Sequence, residues 1–130
     1  MSENNARILV VEDEESLREL YVELLVDAGY DVAFAVDGKE GLSKLLEGGW
    51  NLTLLDIMMP NMDGMTVLEH LQKEKPKQIN GPIILLTALS QESLVHKGLS
   101  LGAAGYLVKS EITPDQVLQE VHNFLESAKN

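Results

Sequence analysis

The segment LTLLDIMMPNMDG, residues 52–64, ends an apolar run in a carboxylate, Asp56, before two methionines, Pro60 and an Asp-Gly pair stop it. A charge at the mouth of an apolar strand is costly unless something uses it. Three other apolar runs end in groups that can bind charge. RILVV (7–11) leads into Glu12 and Asp13, PIILLT (82–87) closes on Thr87, and GYLV (105–108) is followed by Lys109. Singly, each has an ordinary explanation as a helix cap, a strand threonine or a solvated lysine. Brought to one edge, they form a constellation. Glu12, Asp13 and Asp56 would then repel by about 4 kcal/mol per pair at an effective dielectric of about 20. Lys109 offsets part of that, and a hard divalent cation the rest. Mg2+ suits a few carboxylates with water in the remaining positions. Such a pocket holds a carboxylate nucleophile, a Lewis acid, an ammonium and a hydroxyl donor, the equipment for moving a phosphoryl group onto Asp56.

The elements that must position these groups are legible in the pattern. Five short runs rich in Val, Ile and Leu (7–11, 31–35, 52–56, 82–87 and 105–108) lack clean polar alternation, as expected of strands covered on both faces. Between them lie helical patterns. Leu17, Leu20, Tyr21, Leu24 and Leu25 share one helix face, which Gly29 closes. Asp37 with Glu40, and Thr113 with Gln116, have capping-box spacing, and Pro114 suits a first helical position. Val117, Val121, Phe124 and Leu125 form the last apolar stripe. The segments 64–75 and 91–101 are less regular, and Gly98 weakens the second. The alternation predicts an α/β fold, (βα)5 and doubly wound, its parallel sheet flanked by helices on both faces. In such sheets the working site lies at the carboxyl ends of the strands.

Bulk properties narrow the function. The chain has 130 residues, enough for one domain with a real core, and is 45% hydrophobic. It contains no cysteine, which excludes disulfides and thiolate metal sites. No apolar stretch approaches the roughly 18–20 residues of a membrane span, and MSENNARILVV lacks the features of a signal peptide. A cytoplasmic protein is the simplest expectation. With 21 acids against 10 Lys plus Arg, net charge −11, direct binding to nucleic acid is not expected.

The blocks ILVVEDEE, LTLLDIMMPNMDG, PIILLTAL and GYLVK together resemble the receiver domains of bacterial two-component response regulators, the group containing the chemotaxis regulator. The resemblance covers about residues 7–127. It implies a flavodoxin-like strand order 2-1-3-4-5 and a single receiver domain over 1–130 with no output domain in this chain. It also implies a signalling switch rather than an enzyme, though one that promotes its own aspartyl phosphorylation and dephosphorylation. By the resemblance, Asp56 accepts a phosphoryl group from a sensor histidine kinase or phosphotransfer protein. Asp13 and Asp56 hold Mg2+ directly with the backbone carbonyl of Met58, and Glu12 acts through a water. Lys109 pairs with the phosphoryl group, or with Asp56 before it arrives. Thr87 turns toward the phosphoryl group, and Tyr106 swings inward. The surface of the fourth helix, fifth strand and fifth helix then changes for a downstream protein target. The molecule is expected as a monomer or a phosphorylation-promoted dimer. A phosphorelay intermediate and a phosphate-independent interaction module are the alternatives.

Other readings fit less well. A flavin-binding protein of this topology wants a Ser/Thr/Gly-rich phosphate loop where EDEES stands. An aspartate-nucleophile phosphatase wants a second Asp at the position of Met58, and a calcium loop set on Gly64 would put Met59 and His70 at ligand positions. His70, His96 and His122 fall on three different helices and form no ligand set. Trp50 is expected to pack, and Met58, Met59, Met62 and Met65 to pack locally, with an exposed subset free to meet a partner. Receivers usually follow the lysine with proline; here Ser110 follows, and a trans bond is expected. Pro60 and Gly64 are expected to shape the turn after Asp56. Met58 and Leu89 flank the path of an attacking water, and neither side chain can orient it. A Met58→Asn, Leu89→Glu double variant is therefore expected to lose its phosphate faster than the natural chain, as followed by mass spectrometry over time.

Overall fold

The computed structural model describes residues 6–88 and 92–128. Strands and helices alternate along them: β1 (Arg7–Val11), α1 (Glu15–Asp27), β2 (Asp31–Ala35), α2 (Gly38–Glu47), β3 (Leu52–Asp56), α3 (Gly64–Lys73), β4 (Ile83–Thr87), α4 (Glu92–Ser100), β5 (Gly105–Val108) and α5 (Pro114–Ala128), with a 3-10 turn at Lys109–Glu111 between β5 and α5. The strands pair in parallel in the order β2-β1-β3-β4-β5, the doubly wound arrangement expected. Val11 pairs with Leu55, Asp56 with Leu86 and Thr87 with Val108, so the strand ends lie level along one edge.

The two-residue side-chain period of the strands splits the core into two layers. Leu9, Val11 and Leu55 face one side with Leu45, Val67 and Leu68 of α2 and α3. Ile8, Val10, Leu52 and Leu54 face the other with Tyr21 and Leu25 of α1 and Val117, Val121 and Leu125 of α5. β3 and β4 are buried throughout, as continuous apolar runs require. The sheet's edge strands depart from that expectation. Phe34 in β2 and Tyr106 in β5 are exposed, because an edge strand has a neighbour on one side only.

Local details refine the sequence reading. Leu20 is exposed rather than part of the buried α1 face, since it lies about 100° around the helix from Tyr21. The Thr113–Gln116 box is reciprocal: Gln116 N–H donates to Thr113 Oγ1 at 3.2 Å, and Thr113 N–H to Gln116 Oε1 at 2.8 Å. The second box is only half formed. Asp37 Oδ1 accepts from Glu40 N–H at 2.9 Å, but the Glu40 carboxylate takes the Val36 N–H instead of that of Asp37. β4 begins at Ile83, one residue later than expected, although the Pro82 carbonyl still accepts from Thr53 N–H at 3.0 Å. α3 ends at Lys73, short of the expected 75. Trp50 packs as expected, its indole N–H donating to the Lys44 carbonyl at 2.9 Å and Arg7 lying over its ring.

Thr53, in the middle of β3, is fully buried and its hydroxyl has no hydrogen-bond partner. An unpaired buried hydroxyl costs about 1 kcal/mol or more. Replacement by the similarly shaped valine, Thr53→Val, is expected to stabilise the fold by about 1 kcal/mol, or about 3 °C in the thermal midpoint; calorimetry of the two proteins checks this.

Candidate functional site

Every acid of the expected cluster sits where a strand stops. β1 delivers Glu12, which is fully buried, and Asp13, which is exposed; β3 delivers Asp56, 3% exposed. Carboxylate oxygens of Glu12, Asp13 and Asp56 all lie within 4.8 Å of one another. The convergence expected from the topology is therefore real. Thr87 at the end of β4 is buried at the same edge, and Lys109 opens the turn that follows β5.

Lys109 reaches into this cluster. Its Nζ lies 3.0 Å from Asp56 Oδ2 and 2.6 Å from Glu12 Oε1. The second contact, the shorter of the two, ties the ammonium to a carboxylate that is itself fully buried. Sequence reasoning had linked Lys109 to Asp56 and missed Glu12 as its second partner. No cis peptide bond occurs among the described residues, so the bond after Lys109 is trans as expected with serine following. Glu12 Oε2 accepts from the Glu14 N–H at 3.1 Å, leaving both oxygens of Glu12 engaged.

The electrostatics follow from the head count. Burial and then the charge of Glu12 push the Asp56 carboxyl up to about 7, with Lys109 pulling the other way. Burial works against the charge of Lys109, but Glu12 and Asp56 outweigh it and hold the ammonium above the usual lysine range. Burial also pushes the Tyr21 hydroxyl up to about 12, within the field of the same three groups.

The loop after Asp56 is packed close. Asp56 Oδ1 accepts from Met58 N–H at 3.3 Å, and Gly64 N–H donates to the Ile57 carbonyl at 2.8 Å. A Cβ on Gly64 would lie 2.6 Å from the Asp56 carbonyl oxygen, so α3 can begin there only with glycine. Met58 points outward at 66% exposure, the exposed member of the set, while Met65 is buried and Met59 and Met62 pack on the core. Leu89 lies outside the described residues. His70, His96 and His122 are exposed, and His122 meets the Tyr30 hydroxyl at 3.3 Å.

Arg18 was missed. Its guanidinium donates to the carbonyls of Glu12 (3.0 Å) and Asp13 (3.4 Å) and lies over Phe34. A cation near a helix N-terminus opposes the macrodipole, and that mismatch was the available signal.

An α/β domain whose carboxyl edge gathers three carboxylates against one lysine defines a narrow class. The chain belongs to the response regulator receiver domain family, whose model matches residues 8–122, and so to two-component signalling. It is 46% identical over 103 residues to the transcriptional regulatory protein DltR of Streptococcus agalactiae, covering 79% of this chain and 45% of that one. Identity to the chemotaxis protein CheY of Treponema pallidum is 38% over 123 residues, 92% of this chain and 82% of that one. The chain spans about half the length of the transcriptional regulators it matches. Among solved structures, a CheY-like receiver domain protein from Methanospirillum hungatei superposes with a TM-score of 0.83 at 29% identity, covering 95% and 96% of the two chains. The response regulator TrrA from Thermotoga maritima, in complex with Mg2+-BeF, gives 0.75 at 37% identity, covering 92% and 98%. No helix among the described residues is long and apolar enough to cross a membrane.

The raised Asp56 value has a consequence for stability. Between pH 3.8 and about 7 the folded chain keeps a proton that the unfolded chain releases, so stability falls as pH rises through that window. Asp56→Asn removes the titration. Urea unfolding at pH 4, 6 and 8 is expected to show the variant gaining on the natural protein with rising pH. The expected gain is on the order of 1–2 kcal/mol, within the ceiling of about 4 that three pKa units set.

Proposed function

We propose that this chain is a phosphorylation-dependent switch in which Asp56 accepts a phosphoryl group from a histidine kinase or a phosphotransfer protein. The observation that carries the reading is the meeting of Glu12, Asp13 and Asp56 around the Lys109 ammonium at the carboxyl edge of the sheet. The donor set is all hard oxygen, and one member, Asp13, is open to solvent, which suits Mg2+ and its retained waters. Asp13 and Asp56 would hold the ion with the Met58 backbone carbonyl. Glu12, both of whose oxygens are engaged, would act through water. When bound, Mg2+ supplies positive charge against the phosphoryl oxygens.

The protein's own groups do the rest. An ionised Asp56 oxygen attacks phosphorus, the bond from phosphorus to the donor's imidazole nitrogen breaks, and the electron pair leaves on that nitrogen. Lys109, already 3.0 Å from Asp56, shifts its contact to a phosphoryl oxygen. Thr87, buried at the end of β4, turns its hydroxyl toward the new group. Tyr106, 41% exposed on β5, swings inward as Thr87 turns. The surface of α4, β5 and α5 then presents a different face to a downstream target. The phosphoryl group acts by favouring an arrangement in which it makes contacts the other lacks.

Mixing the protein with Mg2+ and a small phosphodonor such as acetyl phosphate is expected to add the mass of one phosphoryl group. Asp56→Asn and removal of Mg2+ with a chelator should each abolish the gain. A natural chain whose mass does not change would instead mark an interaction module that works without phosphate.

A further inference from the structure

The loop between Asp56 and α3 closes on a conformation that few residues besides glycine and asparagine adopt. Asn61 has a φ of +69°, and no other non-glycine residue among those described has a positive φ. Across it the Met62 N–H donates to the Pro60 carbonyl at 2.7 Å. A three-residue turn closed around a positive φ is the rare, strained form of the γ-turn. Such backbone persists where its surroundings hold it in place.

Two contacts from α2 do the holding. Asn61 Nδ2 donates to Asp37 Oδ2 at 2.7 Å, a bond joining residues 24 apart in sequence. The first residue of α2 sits so close to the loop that a Cβ on Gly38 would run into the Met62 carbonyl. The other Asp37 oxygen accepts from the Glu40 N–H and caps α2, so one carboxylate fixes the helix start and the loop tip together. At its other end the loop is tied to the site, with the Met58 N–H on Asp56 Oδ1 and the Gly64 N–H on the Ile57 carbonyl.

We infer that Asp37 and Asn61 form a latch that positions the loop of residues 57–63, and with it the Met58 backbone, against the acid cluster. The inference rests on the reading of Asp56 given above. Neither residue touches a reacting atom; both are positioning residues.

The discriminating variants exploit the direction of the bond. Asn61→Gly leaves the Asp37 cap of α2 untouched, and glycine takes the positive φ at no steric cost. It removes the amide that reaches Asp37 and so breaks the latch. The double variant Asp37→Asn, Asn61→Asp reverses donor and acceptor at unchanged net charge, and aspartate tolerates the left-handed region. Calorimetric titration of the unphosphorylated chain with Mg2+ is expected to show about tenfold weaker binding in Asn61→Gly, the low end for groups that orient metal ligands. The Met58 amide NMR signal should move as well, and the double variant should regain most of the affinity. Unchanged affinity in the single variant overturns the latch, as does a double variant that regains stability to urea without regaining affinity. A natural chain that neither binds Mg2+ nor takes up phosphate from acetyl phosphate overturns the reading of Asp56, and the latch with it.

Discussion

Lys109 lies between two buried carboxylates, and a single ammonium cannot neutralise Glu12 and Asp56 with Asp13 close beside them. The rest of the site follows from this imbalance. Together with burial, the larger cause, it lifts the Asp56 carboxyl toward neutral pH, and it holds Lys109 charged despite burial. It also leaves an excess of negative charge compatible with a divalent cation.

Such an arrangement needs a scaffold that does not yield. Like charges would separate on flexible loops; here they are anchored at the ends of β1 and β3, the central strands of a sheet packed on both faces. Behind each acid lies a run of fully buried aliphatic residues, so moving a carboxylate away means shifting a strand in a dense core. Arg18 adds to this from α1 by holding the carbonyls of Glu12 and Asp13. Gly64 lets α3 begin directly against the Asp56 backbone. The less constrained groups, Tyr106 and Met58, are on the outside, where motion is cheap.

The fold was legible because its signals are local and repeated. Apolar runs at regular spacing, a Pro at the start of α5 and the Thr113–Gln116 box each point to one element, and the elements together admit few topologies. Where the reading failed, the deciding fact was a neighbour. Leu20 matches an apolar stripe in spacing but lies at its margin, and Phe34 and Tyr106 read as buried strand residues until the strand order puts them at the edges. Glu40 has capping-box spacing, yet its carboxylate finds the Val36 N–H first.

By itself the sequence determined the element order, the carboxyl-edge placement of Glu12, Asp13, Asp56, Thr87 and Lys109, and the excess of negative charge among them. These depend on periodicity and on residue type, both properties of the linear chain. Only the tertiary structure decided that Lys109 is shared with Glu12, that Arg18 holds the β1–α1 turn, and that Asp37 and Asn61 meet across 24 residues. Those contacts join side chains whose separation is set by how the layers pack, and no local pattern encodes a distance between elements.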